Sequence, residues 1–511
     1  MSPNRGKAPF LRFVLISLLA AILCVPEDSA AQSRAHGADR FESVREIIRR
    51  KLADGSTPSV AVAVAQHGKI IWEEGFGWAN REQKIPATAD TVYSLASVSK
   101  PFTATALMTL VQAGKIDLDK PINDYLGEAK LKAWVGDANQ ATVRRVANHS
   151  SGLPLHAQFF DRNGPDPVPS DDETIRRYGN IVTVPGEHFQ YSNIAYGVLG
   201  YVASRVSGKS YADFLRDAVF RKLGLTHTSV GVDPGLEKLQ AIRYDKKGAP
   251  IPPYDLDGAG AGGIYSSAHD LVRFGMFHLK NHLADQSPIL TDASIDEMHR
   301  ATMQTGNART NNGNGYGLGF GVGDNRADGY RVLAHGGGMS GVSTELILVP
   351  SENIAVVVLL NARDGDSAYP LANDILKVLL PKWQMPVRPQ LPAAPLRPDA
   401  ALLGIWEGTL HTYQGKLPST ITILPGGDVH VQMGDRLPSL LNEAQLRDGQ
   451  LTGKAWGDFG TSDVQRNRAY ALSFELKLRG NVLSGPVSAS TIAEDSVNRG
   501  TLTQWLELKK R

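Results

Sequence analysis

Apolar residues recur at helical spacing over residues 41–52, and the chain then switches to strand-like runs. Val60-Ala61-Val62-Ala63-Val64 and Ile70-Ile71-Trp72 flank a His67-Gly68 turn, which predicts a hairpin. Residues 97–113 return to a helical pattern. Pro101 falls in the first turn, where its missing N–H is tolerated, and Gly114 ends the run. Further helices are expected over 192–205 and 268–279. Near Arg331 the pattern is again extended. Two apolar runs, 345–349 and 354–360, are joined by Pro350-Ser351-Glu352-Asn353 and predict a hairpin of mostly buried strands. A last helix is expected over 366–380. Helices thus fill the middle while strands come from both ends, an α+β arrangement around an antiparallel sheet.

Two flanking regions break this pattern. Pro386, Pro389, Pro392, Pro395 and Pro398 recur every third residue, the period of a polyproline II spacer. Beyond it, residues 400–511 carry short alternating runs such as Thr420-Ile421-Thr422-Ile423, broken by Gly and Asn. They read as a small all-β domain, a barrel or a sandwich. At the other end, Arg5, Lys7 and Arg12 precede an apolar run over 13–25, and Ser29-Ala30-Ala31 follows. A basic region, a short apolar core and small residues predict a signal peptide over 1–31, and hence export, to the periplasm. The run is too short for a stable membrane span. Cys24 is the only cysteine, and bulky Leu23 before it argues against lipidation. The expected order is signal peptide 1–31, catalytic domain 32–383, linker 384–399 and β domain 400–511.

Composition adds mainly exclusions. Lys+Arg 54 against Asp+Glu 52 leaves a formal charge of +2 without basic runs, so nucleic acid is not an expected partner. Small molecules or peptides remain, and nothing in the sequence fixes an oligomeric state. His-Glu-x-x-His is absent, and no metal or cofactor is implied.

The candidate chemistry begins at Ser97-Val98-Ser99-Lys100. Serine needs a neighbour to take its proton, and a lysine three residues on at a helix start lies on the same face. Burial can lower a lysine pKa enough for it to serve as a base. Alone the pattern is weak, since about two Ser-x-x-Lys matches arise by chance in a chain of this length. Tyr191-Ser192-Asn193 and His335-Gly336-Gly337-Gly338 follow it in the chain.

Taken together these segments resemble the class C β-lactamase and penicillin-binding-protein-like serine hydrolases, a family with D-aminopeptidase, D,D-peptidase and esterase members. His149-Ser150-Ser151-Gly152-Leu153-Pro154, Gly262-Gly263-Ile264-Tyr265-Ser266 and Tyr316-Gly317-Leu318-Gly319-Phe320 add to the likeness, which covers residues 40–380. The resemblance implies a β-lactamase/transpeptidase-like fold. It makes Ser97 the acylated nucleophile and shares acid and base duty between Lys100 and Tyr191, leaving open which is the base. It also implies that Asn193 binds Lys100 and substrate, and that the N–H groups of Ser97 and Gly338 hold the oxyanion. His335 and Gly337 would line the facing strand. Ser99 is expected to pack, His149 and Tyr265 to shape turns, and Ser192 and Ser266 to cap helices.

His-Gly-Gly-Gly also occurs in α/β-hydrolases, but their Gly-x-Ser-x-Gly elbow is missing: Gly338-Met339-Ser340-Gly341-Val342 fails at its last position. Within the family, β-lactamases usually carry Lys-Thr-Gly on the third motif. Here His335 and Gly336 replace the cation and the hydroxyl that help grip a substrate carboxylate. A peptide or amide without that carboxylate is therefore the expected substrate. A carboxylesterase, a weak β-lactamase and a non-catalytic peptidoglycan-binding protein are the alternatives.

Overall fold

A computed structural model describes residues 40–511 apart from 56, 306–314, 325, 327, 363–367, 386–395, 397, 448, 466–469 and 492–499. The expected signal peptide, Cys24 and most of the proline-rich spacer lie outside the described residues. Helix α1 (Glu42–Ala53) buries Val44 and Ile48. The first hairpin follows as β1 (Ser59–Gln66) and β2 (Lys69–Asn80), turning at His67 and Gly68, both in the left-handed region. Helix α2 (Ser99–Gln112) begins with Pro101 in its first turn. The middle of the chain holds β3 (Ala157–Asp161), α3 (Asp171–Tyr178), α4 (Asn193–Ser207), β4 (Tyr254–Leu256), α5 (Ala259–Gly262) and α6 (Ala268–His278). Then come β5 (Val332–Met339), β6 (Val342–Val349), β7 (Ile354–Leu360) and α7 (Ala368–Leu379).

The main sheet is antiparallel, in the order Met303–Gln304, Gly315–Tyr316, Gly321–Gly323, β5, β6, β7, β1, β2, Ile85–Pro86. Strands from the two ends of this region therefore meet at its centre, with Val60 opposite Leu360 and Val64 opposite Val356. Both neighbours at that seam are buried along nearly their whole length, which explains why they read as continuous apolar runs. Each such Val or Leu removed from water contributes about 1.5–3 kcal/mol. Helices α6 and α7 pack on this sheet, while α2 packs against α4 and α5.

The C-terminal strands are β8 (Gly404–Thr412), β9 (Gly415–Ile423), β10 (Val429–Met433), β11 (Ser439–Leu440), β12 (Asn442–Arg447), β13 (Gln450–Trp456), β14 (Tyr470–Arg479), β15 (Val482–Thr491) and β16 (Gly500–Lys510). They pair antiparallel in the order β11-β10-β9-β8-β16-β15-β14-β13-β12. The two outer strands are consecutive in the chain, separated by Leu441 alone, so the sheet curls into a nearly closed barrel. Its last strand reaches beyond the barrel. Gly500 and Thr501 pair with Gln158 and Ala157 of β3, and β3 pairs with β4. Thr503 Oγ1 donates to Leu155 O at 3.1 Å, and Tyr178 donates to Asp463. No helix among the described residues is long and apolar enough to cross a membrane.

Candidate active site

Ser97 sits in a single 3₁₀ turn, Ala96–Val98, that runs into α2. Ala96 is left-handed at φ 49°, a conformation that costs a non-glycine residue about 1–2 kcal/mol. The flanking contacts hold it there. Leu95 N donates to Ile264 O at 2.9 Å, and Leu95 O accepts from Thr344 Oγ1 at 2.8 Å. Ser99 is buried and accepts from Ile264 N at 3.0 Å, a structural role.

Lys100 is fully buried. Its Nζ lies 3.0 Å from Ser97 Oγ, 2.8 Å from Asn193 Oδ1 and 2.9 Å from Ala261 O. It also stands 4.8 Å from the centre of the Tyr191 ring. Burial drives its pKa well below the ordinary 10.5. A neutral amine has two N–H donors and one lone pair. Asn193 Oδ1 and Ala261 O can take the two donors, which leaves the lone pair for the Ser97 hydroxyl proton.

Ala261 O is a partner that sequence reading missed, because a backbone carbonyl carries no residue-type signal. Its placement is traceable to small residues. A Cβ on Gly260 would overlap Tyr196 O and approach Gly200, so only glycine lets α5 sit this close to α4. Asn193 is the first residue of α4, whose N-cap Ser192 accepts from Ala195 N. The other expected cap is displaced: Ser267, not Ser266, caps α6 by accepting from Asp270 N. Ser266 closes the strand Ile264–Ser266 and hydrogen-bonds Thr228 Oγ1 at 2.8 Å. Tyr265 lies in the same strand rather than in a turn, and Arg243 donates to its hydroxyl.

Tyr191 stands beside this pair, within hydrogen-bonding reach of Ser97. Burial raises its phenol above the ordinary range, with the Ser97 hydrogen bond pulling the other way, so it stays protonated at neutral pH. Left-handed His149, at φ 62°, packs 4.5 Å from the Tyr191 ring, and its Nδ1 accepts from Ser192 N at 3.2 Å. His335 is buried, with Nδ1 2.8 Å from Gly336 O and Nε2 2.9 Å from Tyr316 Oη. A neutral ring satisfies both contacts, donating from Nδ1 and accepting from the tyrosine at Nε2. Burial, above all, lowers its pKa to about 3. His335 is therefore an uncharged support for Tyr316 and offers no cation to a carboxylate.

The facing wall is β5. A Cβ on Gly337 would overlap both the Leu95 carbonyl oxygen and Thr344 Oγ1, at under 3.0 Å. Glycine there lets β5 press against the turn that carries Ser97, which brings Gly338 to the same pocket as Ser97 and Asn193. That pocket is open to solvent and spans about 590 Å³ of non-atom space. Ile175, Val198 and Leu256 line it as well, and so do Phe159 of β3 and two carboxylates, Asp171 and Asp257. Among the described residues no group of three or more His, Cys, Asp or Glu is placed to hold a metal ion.

Comparison with known proteins places this geometry in context. The Beta-lactamase family model matches residues 44–379. Protein flp of Staphylococcus aureus (strain N315) is 25% identical over 328 residues, covering 63% of this chain and 63% of that protein. A Beta-lactamase of Escherichia coli (strain K12) is 32% identical over 247 residues, 47% of this chain and 62% of that protein. The alignments thus span less than two thirds of the curated relatives' own length. The solved structure of SurE superposes with a TM-score of 0.63 at 22% identity, over 92% of this chain and 99% of that one. Its coverage extends the likeness of fold beyond the family match into the C-terminal strands.

Proposed function

The chain belongs to the Beta-lactamase family, and we propose that it is an exported serine hydrolase that works through an acyl-Ser97 intermediate. The observation that carries this reading is the buried Lys100 amine, 3.0 Å from Ser97 Oγ and backed by two further acceptors. Neutral Lys100 takes the hydroxyl proton as Ser97 Oγ bonds to the substrate carbonyl carbon. The backbone N–H groups of Ser97 and Gly338 hold the oxyanion. Tyr191, protonated at neutral pH, passes its proton to the leaving nitrogen or oxygen as the bond to carbon breaks and is reprotonated by Lys100, which gives up the proton it took from Ser97. Water then attacks the acyl carbon and gives its proton to Lys100, Tyr191 protonates Ser97 Oγ as the acyl bond breaks, and Lys100 reprotonates Tyr191, releasing the acid and the starting enzyme. The opposite pKa directions of Lys100 and Tyr191 favour the lysine as base and the tyrosine as acid.

The favoured substrate is a peptide or amide that needs no carboxylate grip. The buried, uncharged His335 supports this choice, because it stands where β-lactamases usually carry a cation. A carboxylesterase is the second reading, supported by the same wall, since an ester also lacks that carboxylate. Export rests on the pattern of residues 1–31, and the division at 384–399 on the proline repeat. Intact-mass analysis after treatment with a fluorophosphonate should find one adduct per chain, mapping to Ser97. No adduct, or one on a different residue, would sink the acyl-Ser97 reading.

A further inference from the structure

The pocket beside Ser97 carries two carboxylates that the acyl-transfer steps do not use. Asp171 opens α3, where acids are favourable for the helix dipole, so a purely structural role has to be considered first. Its neighbours fill such roles. Asp172 accepts from Ala129 N and Tyr201, and Glu173 pairs with Arg176 and Arg177. Asp171 makes no hydrogen bond or ion pair among the described residues, and it lines the pocket. Burial, with Asp172 and Asp257 adding repulsion, pushes its carboxyl up to about 6, so the group is held at a cost while no counter-charge is present.

A second observation concerns donors and acceptors. His156 lines the same pocket and is 3% exposed. Its Nε2 lies 2.5 Å from Asp257 Oδ2, while its Nδ1 has no hydrogen-bond partner among the described residues. In the neutral ring, Nε2–H donates to Asp257 and Nδ1 is left as an acceptor. Thr174 Oγ1, on the same wall, is also buried without a partner among the described residues. Asp171 and Asp257 place two carboxylates in the pocket, with no lysine or arginine among its lining residues. Carboxylate, imidazole nitrogen and hydroxyl oxygen together present acceptors to whatever enters. A primary ammonium group is the complementary ligand, with one positive charge and three N–H donors. Lys100, biased toward its neutral form, opposes such a cation little.

We propose that the pocket walled by Asp171, His156, Thr174 and Asp257 is a subsite for a primary ammonium group on the acyl portion of the substrate. The inference rests on the acyl-Ser97 reading, because Ser97 and Gly338 border the same cavity and would hold the adjoining carbonyl. Apolar Phe159, Ile175, Val198 and Leu256 would cover the carbon chain between carbonyl and amine. Strand β16 supports this wall from the barrel side through its pairing with β3.

The test is protection of Ser97 against fluorophosphonate labelling by eight matched anilides. These are lysine and norleucine p-nitroanilides, each with a free or an acetylated α-amine, in L and D forms. Wild type should be protected by at least one amine-bearing compound at a concentration about tenfold lower than N-acetyl-norleucine anilide requires. In Asp171→Asn that ratio should collapse toward one, with the labelling rate itself reporting that the variant is folded. Equal protection by charged and neutral compounds in wild type would overturn the inference and leave the hydrolase reading standing. So would a ratio that survives Asp171→Asn. Absence of labelling would instead overturn the acyl-Ser97 reading, and this inference with it.

Discussion

Lys100→Met is expected to lower kcat by about 10³-fold, within the range that a positioned general base supplies. The substitution keeps the length and apolar stem of a fully buried side chain and removes the lone pair facing Ser97 Oγ. Two effects on stability oppose each other. Asn193 Oδ1 and Ala261 O lose a donor, at about 1–3 kcal/mol for each buried acceptor left unpaired. Against this, the burial cost of an amine disappears. The melting temperature should therefore shift by only a few degrees while turnover collapses. Combining Lys100→Met with Ser97→Ala should cost little more than the worse single change, because the two residues act as one unit. Turnover of Lys100→Met within tenfold of wild type would remove lysine from the base role.

Gly337→Ala is expected to act through shape. The added methyl has no room, since it meets the Leu95 carbonyl and the Thr344 hydroxyl that together anchor the nucleophile turn. Either β5 backs away or the turn does, and both movements separate Gly338 from Ser97. Overpacking of this kind costs about 1–3 kcal/mol in stability. Loss of one aligned oxyanion donor costs about 10²–10³-fold in kcat. Denaturant unfolding and steady-state kinetics on one preparation check both effects. A folded variant with an unchanged kcat would mean that this wall does not hold the oxyanion.

These two positions also show what the sequence could and could not disclose. Ser97 and Lys100 are legible together because a three-residue spacing at a helix start is a local geometric fact. The reason for Gly337 is not legible, since the atoms that exclude a side chain there come from residues 95 and 344, far away in the chain. The same holds for Ala261 O, supplied by a glycine-rich turn whose closeness to α4 depends on Gly260. The hydrophobic pattern gave the central strands well, because full burial on both faces leaves a continuous apolar run. The pairing of β16 with β3 had no comparable signal, since strand edges meet through backbone groups that every residue carries. Asp171 was hidden for a different reason: in Asp171-Asp172-Glu173 all three acids look like helix-start residues, and only the fold separates the one that faces the pocket.

The most direct measurement is the rate of fluorophosphonate labelling of Ser97 as a function of pH. Labelling needs Lys100 unprotonated, so the rate falls as pH drops through the lysine pKa. Burial holds that pKa well below 10.5. The rate should therefore reach its plateau well before the ordinary lysine range, and the same limb should vanish in Lys100→Met together with most of the rate. A rate still climbing toward pH 10.5, or an unchanged profile in Lys100→Met, would contradict a neutral lysine as the base that activates Ser97.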